Sequence, residues 1–280
     1  MSHQKILGLC ALSRPVNVAI TAGSIYVAVL ICADSHPLMR IVLACLSGAL
    51  ITAAANAIND MYDIDIDRIN KPDRPLPRRR VTMREARMFA LLCFGLGVGF
   101  SVPLGKLACA IALSCSILLY LYSARLKRTA LWGNGSVSLA TALAFFYGGV
   151  AAGRPLRAAF PAGFAFLMHF GREIIKDMED IEGDRAQGAS TFPIVHGLRP
   201  AKQLVTLIYV ILLLATYLPY ALGSYGSWYL FIVVLGVQTV LVFSILSLWI
   251  RPFRENFRLL SAVLKADMIV GLLAIYAGRW

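Results

Sequence analysis

Apolar residues in this chain run in long blocks, and polar residues gather in the short stretches between them. Nine such blocks can be drawn, at 16–33, 40–60, 86–103, 106–122, 133–152, 160–178, 203–222, 227–249 and 261–278. Each is near the ~20 residues that carry an α-helix across a bilayer. None shows the strict alternation of a transmembrane strand, and only helices and closed barrels satisfy every backbone group in lipid. The pattern therefore predicts an all-α integral membrane protein with nine transmembrane helices. Composition agrees: 59% of the 280 residues are hydrophobic and the mean hydropathy is +0.71, more apolar surface than one aqueous core can hide. No Gly/Ser linker or low-complexity tract interrupts the blocks, so residues 1–280 read as a single domain. The opening "MSHQKILGLCALSRP" lacks a small-residue cleavage site and is not read as a removed signal peptide.

Charge gives the blocks a direction. With alternate loops assigned to alternate sides, Lys5, Arg14, the eight basic residues from Arg68 to Arg87, Arg125, Lys127, Arg128, the five from Arg172 to Lys202 and the four from Arg251 to Lys265 share one side. Only Arg40, Lys106, Arg154, Arg157 and Arg279 fall on the other. The positive-inside rule then predicts a multi-pass protein of the cell membrane, with a cytoplasmic N-terminus and Trp280 outside. The net charge of +12 is mostly one face of the protein. Orientation and attraction to anionic membrane lipid account for it without nucleic-acid binding.

Six cysteines lie in or beside the apolar blocks with no CxxC pair, and His3, His36, His169 and His196 are scattered, so neither a disulfide framework nor a zinc site is expected. The acids are different, because 11 of the 15 Asp and Glu fall in two short segments. One is "NDMYDIDIDRINKPD" and the other "GREIIKDMEDIEGD", each at the cytoplasmic end of a predicted span. Asp60, Asp63 and Asp67 repeat the i, i+3, i+7 spacing of Asp177, Asp180 and Asp184, which puts each trio on one face of a helix. Asn59, Asp63 and Asp67 also form an i, i+4, i+8 row.

Like charges on one face repel, and near a bilayer they are costly unless cations neutralise them. Oxygen donors without His or Cys suit a hard ion such as Mg²⁺, which takes one or two carboxylates together with water and phosphate oxygens. Basic residues flank both segments: "RINKPDRPLPRRR" follows the first, and Arg172, Lys176 and Arg185 surround the second. Carboxylates beside guanidinium and ammonium groups fit a ligand whose phosphates touch both metals and cations. A single acidic run would read as a solvated helix end; two with one spacing point to two acidic faces that hold Mg²⁺ and a diphosphate.

On these residues the chain resembles the UbiA superfamily of intramembrane prenyltransferases. "NDMYDIDIDRINKPDRPLP" is similar to its first aspartate-rich motif and "DIEGD" to its second, while "SRPVN" at Ser13–Asn17 and "YSARLKR" at Tyr122–Arg128 also fit. The resemblance covers the whole chain. It implies nine helices around a central cavity, with Mg²⁺ and a prenyl diphosphate donor bound on the cytoplasmic side. Position by position it implies Asn59, Asp63 and Asp67 at one metal cluster and Asp180 and Asp184 at the other, accompanied by Asp60 and Asp177. The string "REIIKDMEDIEGDRAQGASTFPI" most resembles the subgroup that transfers geranylgeranyl to geranylgeranylglyceryl phosphate, a lipid-soluble acceptor of ether-lipid synthesis. Chlorophyll synthases share the "EGDRxxG" run, so an aromatic or chlorophyllide acceptor remains the alternative. One departure stands out: Arg78, Arg79 and Arg80 occupy the place where many members carry a Ser-Gly pair.

The expected chemistry follows. Arg14, Asn17, Arg74, Lys127, Arg172 and Lys176 are candidates to bind substrate, several of them stabilising the charge that develops on the leaving diphosphate. Tyr62, Phe166 and Phe170 are candidates to face an allylic cation, with plain packing as the alternative role. The glycines of "GLGVG" and "YGGVAAG" either leave room for a prenyl tail or let helices pack closely. Two rivals from other classes remain at this point. A divalent-cation transporter would place its carboxylates nearer the midplane on broken helices. A transferase acting on CDP-alcohols would concentrate its acids in one segment.

Overall fold

The computed structural model describes residues 3–34, 38–186 and 188–279, so Trp280 and His36 lie outside the described residues. Among those described, the chain is helical throughout, with one isolated bridge between Thr129 and Ser190. It folds as two compact units, Met1–Arg125 with Leu143–Ala158, and Leu126–Ala142 with Ala159–Trp280.

The first unit holds α1 (His3–Ser13), α2 (Pro15–Cys32), α3 (Leu38–Tyr62), α4 (Ile64–Asn70), α5 (Met83–Ser101), α6 (Lys106–Ala124) and the second half of α7 (Trp132–Ala151). Helix α3 is its axis, the most buried of the apolar spans. Its small residues Ala44, Ser47, Ala53, Ala54 and Ala57 let neighbours come close, the usual packing mode where lipid supplies no hydrophobic drive between helices. At Gly97 of α5 an added Cβ would lie 2.8 Å from Ile51 Cγ1, and Ser47 Oγ donates to Gly97 O at 2.7 Å. At Gly148 of α7 it would lie 2.5 Å from the Cβ of Ala28. These two glycines serve close helix packing, while Gly95 and Gly99 have open space beside them.

The second unit holds the start of α7, α8 (Ala159–Glu179), α9 (Ile181–Ala186), α10 (Phe192–His196), α11 (Leu198–Ala215), α12 (Leu218–Ala221), α13 (Ser227–Ile232), a π-helical stretch at Val233–Gln238, α14 (Thr239–Ile250) and α15 (Arg254–Ala277). Helices α8, α11 and α15 pack about Ile174, Ile175, Val205, Tyr209, Leu260 and Leu264, all fully buried.

Seven of the described helical stretches are long and apolar enough to cross a membrane: Pro15–Cys32, Leu38–Tyr62, Met83–Leu104, Lys106–Ala124, Leu198–Ala221, Ser227–Ile250 and Arg254–Ala277. The other two expected spans form helices of 20 and 21 residues, α7 and α8. They fall short in apolarity, not length. Helix α7 opens on Gly133, Asn134, Gly135 and Ser136, and α8 closes on Arg172, Glu173, Lys176 and Asp177. The nine-span count therefore stands at seven by this measure, and the two remaining helices carry polar groups that bear on function.

Candidate active site

In the first unit, α3 reaches its end at Tyr62, and Asp63 (φ −96, ψ 4) joins it to α4. The helical ladder persists through the joint: Asp63 N donates to Asn59 O at 3.0 Å and Asp67 N to Asp63 O at 2.8 Å. The row read from the sequence is thus kept, and Asn59 Nδ2 donates to Asp63 Oδ2 at 3.0 Å. Asp60 and Asp67 are 3% and 4% exposed. Such carboxylates need partners, and arginines distant from this turn supply them. Arg14 bonds Asp60, while Arg74 Nη1 reaches Asp60 Oδ1 at 3.1 Å and Asp67 Oδ2 at 2.5 Å.

Local structure aims both cations. Arg14 sits at φ 52, a left-handed conformation unusual for a non-glycine residue, between α1 and Pro15 at the start of α2. That strained joint turns its side chain onto Asp60, and Asn56 Nδ2 donates to Ser13 O at 2.8 Å to hold it. Asn17 Nδ2 lies 3.5 Å from Asn56 Oδ1. Arg74 belongs to the loop before α5, whose Leu76 and Val81 are buried among Leu12, Ala57, Ala86 and Ala90. The apolar anchor fixes the loop, and the loop sets Arg74 over the carboxylates. A capping box of Thr82 and Glu85 then begins α5, with Lys5 Nζ 2.5 Å from Glu85 Oε1. Arg78, Arg79 and Arg80 point outward, Arg78 pairing with Asp73.

The second unit repeats the backbone. Asp180 joins α8 to α9; Asp180 N donates to Lys176 O at 3.0 Å and Asp184 N to Asp180 O at 2.8 Å. Its electrostatics differ. Asp177, the counterpart of Asp60, accepts from a neutral amide, Asn134 Nδ2 at 2.8 Å. Asp180 is exposed, with Arg254 3.9 Å away. Among the described residues no cation lies within ion-pair distance of half-buried Asp184. Burial, then the neighbouring Asp180 carboxylate, push its pKa up to about 6, against the opposing charge of Lys176.

Arg172 and Lys176 both lie on Glu173, at 3.0 and 2.8 Å, and Arg172 Nε also donates to Ser261 O of α15 at 2.9 Å. Arg172 is thereby fixed, whereas Lys176 keeps nearly half its side chain exposed. Lys127 lies in the turn Leu126–Arg128. Ser190 N donates to Arg128 O at 2.8 Å and Ala189 N to Asp184 O at 3.0 Å, so this turn and the second motif share one framework. Tyr62 pairs hydroxyl to hydroxyl with Tyr120 at 3.1 Å, and Phe166 packs on Phe170 with ring centroids 5.6 Å apart. Asp65 and Glu179 stay off these faces, and Asp65 pairs with nearby Arg68 at 2.8 Å.

Sequence reasoning passed over Asn134, the partnership of Glu173, the structural use of Asn56, and Tyr120. Asn134 and Asn56 carried a usable signal, an amide inside an apolar block, where polar groups rarely stand without a task.

Among the described residues no three His, Cys, Asp or Glu side chains converge closely enough to cage an ion. Each motif instead offers one or two carboxylates, with an amide from Asn59 in the first. That donor set fits Mg²⁺, which keeps waters and takes phosphate oxygens, better than it fits a metal needing a closed protein cage.

The model of the UbiA prenyltransferase family matches residues 20–266. Digeranylgeranylglyceryl phosphate synthase of Methanopyrus kandleri is 40% identical over 269 residues, covering 95% of this chain and 97% of its own. A solved structure of a digeranylgeranylglyceryl phosphate synthase superposes with a TM-score of 0.89 at 30% identity, over 98% of each chain. A UbiA homolog from Archaeoglobus fulgidus, bound to GPP and Mg²⁺, superposes with a TM-score of 0.72 at 20% identity, over 96% of this chain and 99% of that one. At that identity the likeness bears on the fold alone.

Proposed function

This chain belongs to the UbiA prenyltransferase family, and from that premise we propose that it transfers a geranylgeranyl group from its diphosphate to the free hydroxyl of geranylgeranylglyceryl phosphate. The observation that carries this reading is the repeated carboxylate ladder, Asn59, Asp63 and Asp67 against Lys176, Asp180 and Asp184, in a multi-pass membrane protein 40% identical to a synthase of that name. Residues 1–280 act together as one prenyltransferase domain.

Asn59, Asp63, Asp67, Asp180 and Asp184 would hold Mg²⁺. Bound there, the ion supplies positive charge to diphosphate oxygens and so eases departure of the leaving group. The chain's own cations add to that. Arg74 in the first unit, and Lys127 and Lys176 in the second, are the candidates for phosphate oxygens; Arg172 holds Glu173 and α15 in place within the second unit, and Arg14 and Asn17 add polar groups beside the first motif. As the allylic carbon–oxygen bond breaks, the bonding pair leaves with diphosphate and positive charge spreads over the allyl unit. Tyr62 in the first unit and Phe166 and Phe170 in the second are the aromatic candidates to face that charge. The acceptor hydroxyl oxygen then bonds to the first carbon, and its proton passes to the diphosphate that has left. Buried Asp60 and half-buried Asp177 keep the helix ends in register through Arg14, Arg74 and Asn134.

The phosphorylated acceptor brings negative charge of its own, so its pocket needs cations beyond those that serve the donor. Arg14 is engaged by Asp60 and Arg78 by Asp73, so the exposed Arg79 and Arg80 supply that surplus. The motifs, and with them the N-terminus, face the cytoplasm, as the distribution of Lys and Arg indicates. A cysteine placed at exposed Lys71 should resist impermeant reagents in sealed cells; labelling from outside would reverse the orientation.

The decisive test is incubation of purified protein with geranylgeranyl diphosphate, Mg²⁺ and a panel of acceptors, followed by product mass. Prenylated geranylgeranylglyceryl phosphate is expected. A protein that prenylates an aromatic acid or chlorophyllide and ignores the glyceryl phosphate would refute the acceptor while leaving the family intact.

A further inference from the structure

The sparse face of the charge pattern holds five basic residues, and three of them converge on one corner of the first unit. Arg40 stands at the start of α3, about 20 residues and so roughly 30 Å of helix from the first aspartate motif. Its Nε donates to Ala151 O at the end of α7, at 2.7 Å. Arg157 Nη1 donates to Cys32 O at the end of α2, at 3.0 Å, and to Asp34 Oδ1 at 2.5 Å. Arg154 grips Asp34 Oδ2 through Nε at 3.1 Å and Nη2 at 2.9 Å. The hydrogen bond from Arg157 leads the effects that hold the Asp34 carboxyl below its ordinary range, so Asp34 stays ionised at neutral pH.

Two guanidinium groups against one carboxylate, with Arg40 bound to the end of α7, leave a net positive site. Each guanidinium carries five N–H donors, and most of them have no partner among the described residues. The backbone holds them in a fixed array: Arg154 N donates to Gly149 O at 2.9 Å and Arg157 N to Arg154 O at 3.1 Å. Around the array stand Leu38, Met39 and Leu156, exposed by 73%, 70% and 84%. Such exposure is unfavourable in water but suits side chains that enter the acyl region of a leaflet, with arginines reaching back to the phosphate level. The apolar spans α2 and α3 and the less apolar helix α7 end or begin at this corner, the level at which the phosphate plane of a leaflet would lie.

We propose that Arg40, Arg154 and Arg157 form a clamp for the phosphate headgroup of an anionic phospholipid, at the end of the first unit remote from the aspartate motif. Helix capping explains one donor of Arg40 and one of Arg157; it explains neither Arg154 nor the ring of exposed apolar residues. The clamp holds a lipid where α2, α3 and α7 meet, so the lipid tethers the ends of the helix that carries the first motif at its other end.

The test uses the full-length protein in neutral detergent, with retained lipid read by native mass spectrometry and thermal unfolding read alongside. Phosphatidylglycerol should remain bound and raise the unfolding temperature, and phosphatidylcholine should do neither. Arg154→Gln touches no helix-ending carbonyl and should weaken phosphatidylglycerol retention by about fivefold, the worth of one basic residue at an anionic surface. Arg154→Gln with Arg157→Gln should remove retention, while Lys106→Gln, which matches the charge change of Arg154→Gln alone but lies outside the array, should leave it intact. Prenyl transfer in detergent should be unchanged in all three variants. Equal binding of phosphatidylcholine, or an equal loss in Lys106→Gln, would overturn the clamp. Stabilisation by inorganic phosphate alone, at the concentration of the lipid, would overturn its assignment to a lipid.

Discussion

The two aspartate motifs share a backbone and differ in how their charge is met. In both, a carboxylate joins a long helix to a short one, and the same i to i+4 ladder runs through the joint. At the first, two guanidinium groups from outside the helix neutralise Asp60 and Asp67. At the second, Asp177 has an amide and, among the described residues, Asp184 has the more distant influence of Lys176. The lesson is that a repeated spacing in one chain can fix geometry twice while leaving the electrostatics to whatever the fold brings alongside. The first motif is already satisfied as it stands; the second is the one that gains most from a bound cation.

The largest effects should erase the difference. Asp63→Asn, Asp67→Asn, Asp180→Asn and Asp184→Asn each remove an anionic donor and should each cut turnover on the order of 100-fold or more, with helical content by circular dichroism unchanged. Asp65→Asn and Glu179→Gln, which lie off the faces, should keep most activity. Equal losses at all six would dissolve the argument from helical faces.

Stability should then separate the motifs. Asp60→Asn strands Arg14 beside a buried amide, leaves Arg74 with Asp67 alone, and should cost about 2–3 kcal/mol in thermal unfolding, allowing for the partial exposure of both arginines. Asp177→Asn keeps an oxygen for Asn134 and should cost less than about 1 kcal/mol. Comparable losses would mean that the two carboxylates are met in the same way. Asn134→Ala is the sharper probe of the second motif. It leaves the Asp177 carboxylate without its donor and should cost about 1–2 kcal/mol, with a weaker response of unfolding temperature to Mg²⁺.

The pH dependence tests Asp184 directly. An acid whose pKa is raised to about 6 in the fold keeps a proton that the unfolded chain has lost, so without Mg²⁺ stability should fall as pH rises between about 4 and 6. Solvent screening at this half-exposed group limits the effect to about 1 kcal/mol. Asp184→Asn should flatten that slope, and Mg²⁺ should stabilise the wild type more at pH 7.5 than at pH 5. A slope unchanged in the variant would place the titration elsewhere. The smallest effect belongs to the exposed pair of Arg78 and Asp73: Arg78→Ala should change stability by less than about 0.5 kcal/mol.

Much of this protein was readable before any coordinates. Long apolar blocks can only be helices in lipid, because the backbone must satisfy itself there, so the all-α membrane class followed from hydropathy alone. The helical period then carried Asn59, Asp63 and Asp67, and Asp180 and Asp184, onto their faces, since an i to i+4 relation is a property of the local ladder and needs no tertiary information. The sequence could not say that α7 and α8 are the two least apolar of the nine blocks for a reason, since Asn134 has a partner 43 residues away in Asp177. Nor could it say that Arg14 and Arg74, 46 and 14 residues from Asp60, would close on it, while Arg172 and Lys176 would be taken up by Glu173. Periodicity reports which residues share a face of one helix. Which charges meet depends on how a strained joint at Arg14 and a loop anchored by Leu76 and Val81 bring distant segments together, and only packing in three dimensions decides that.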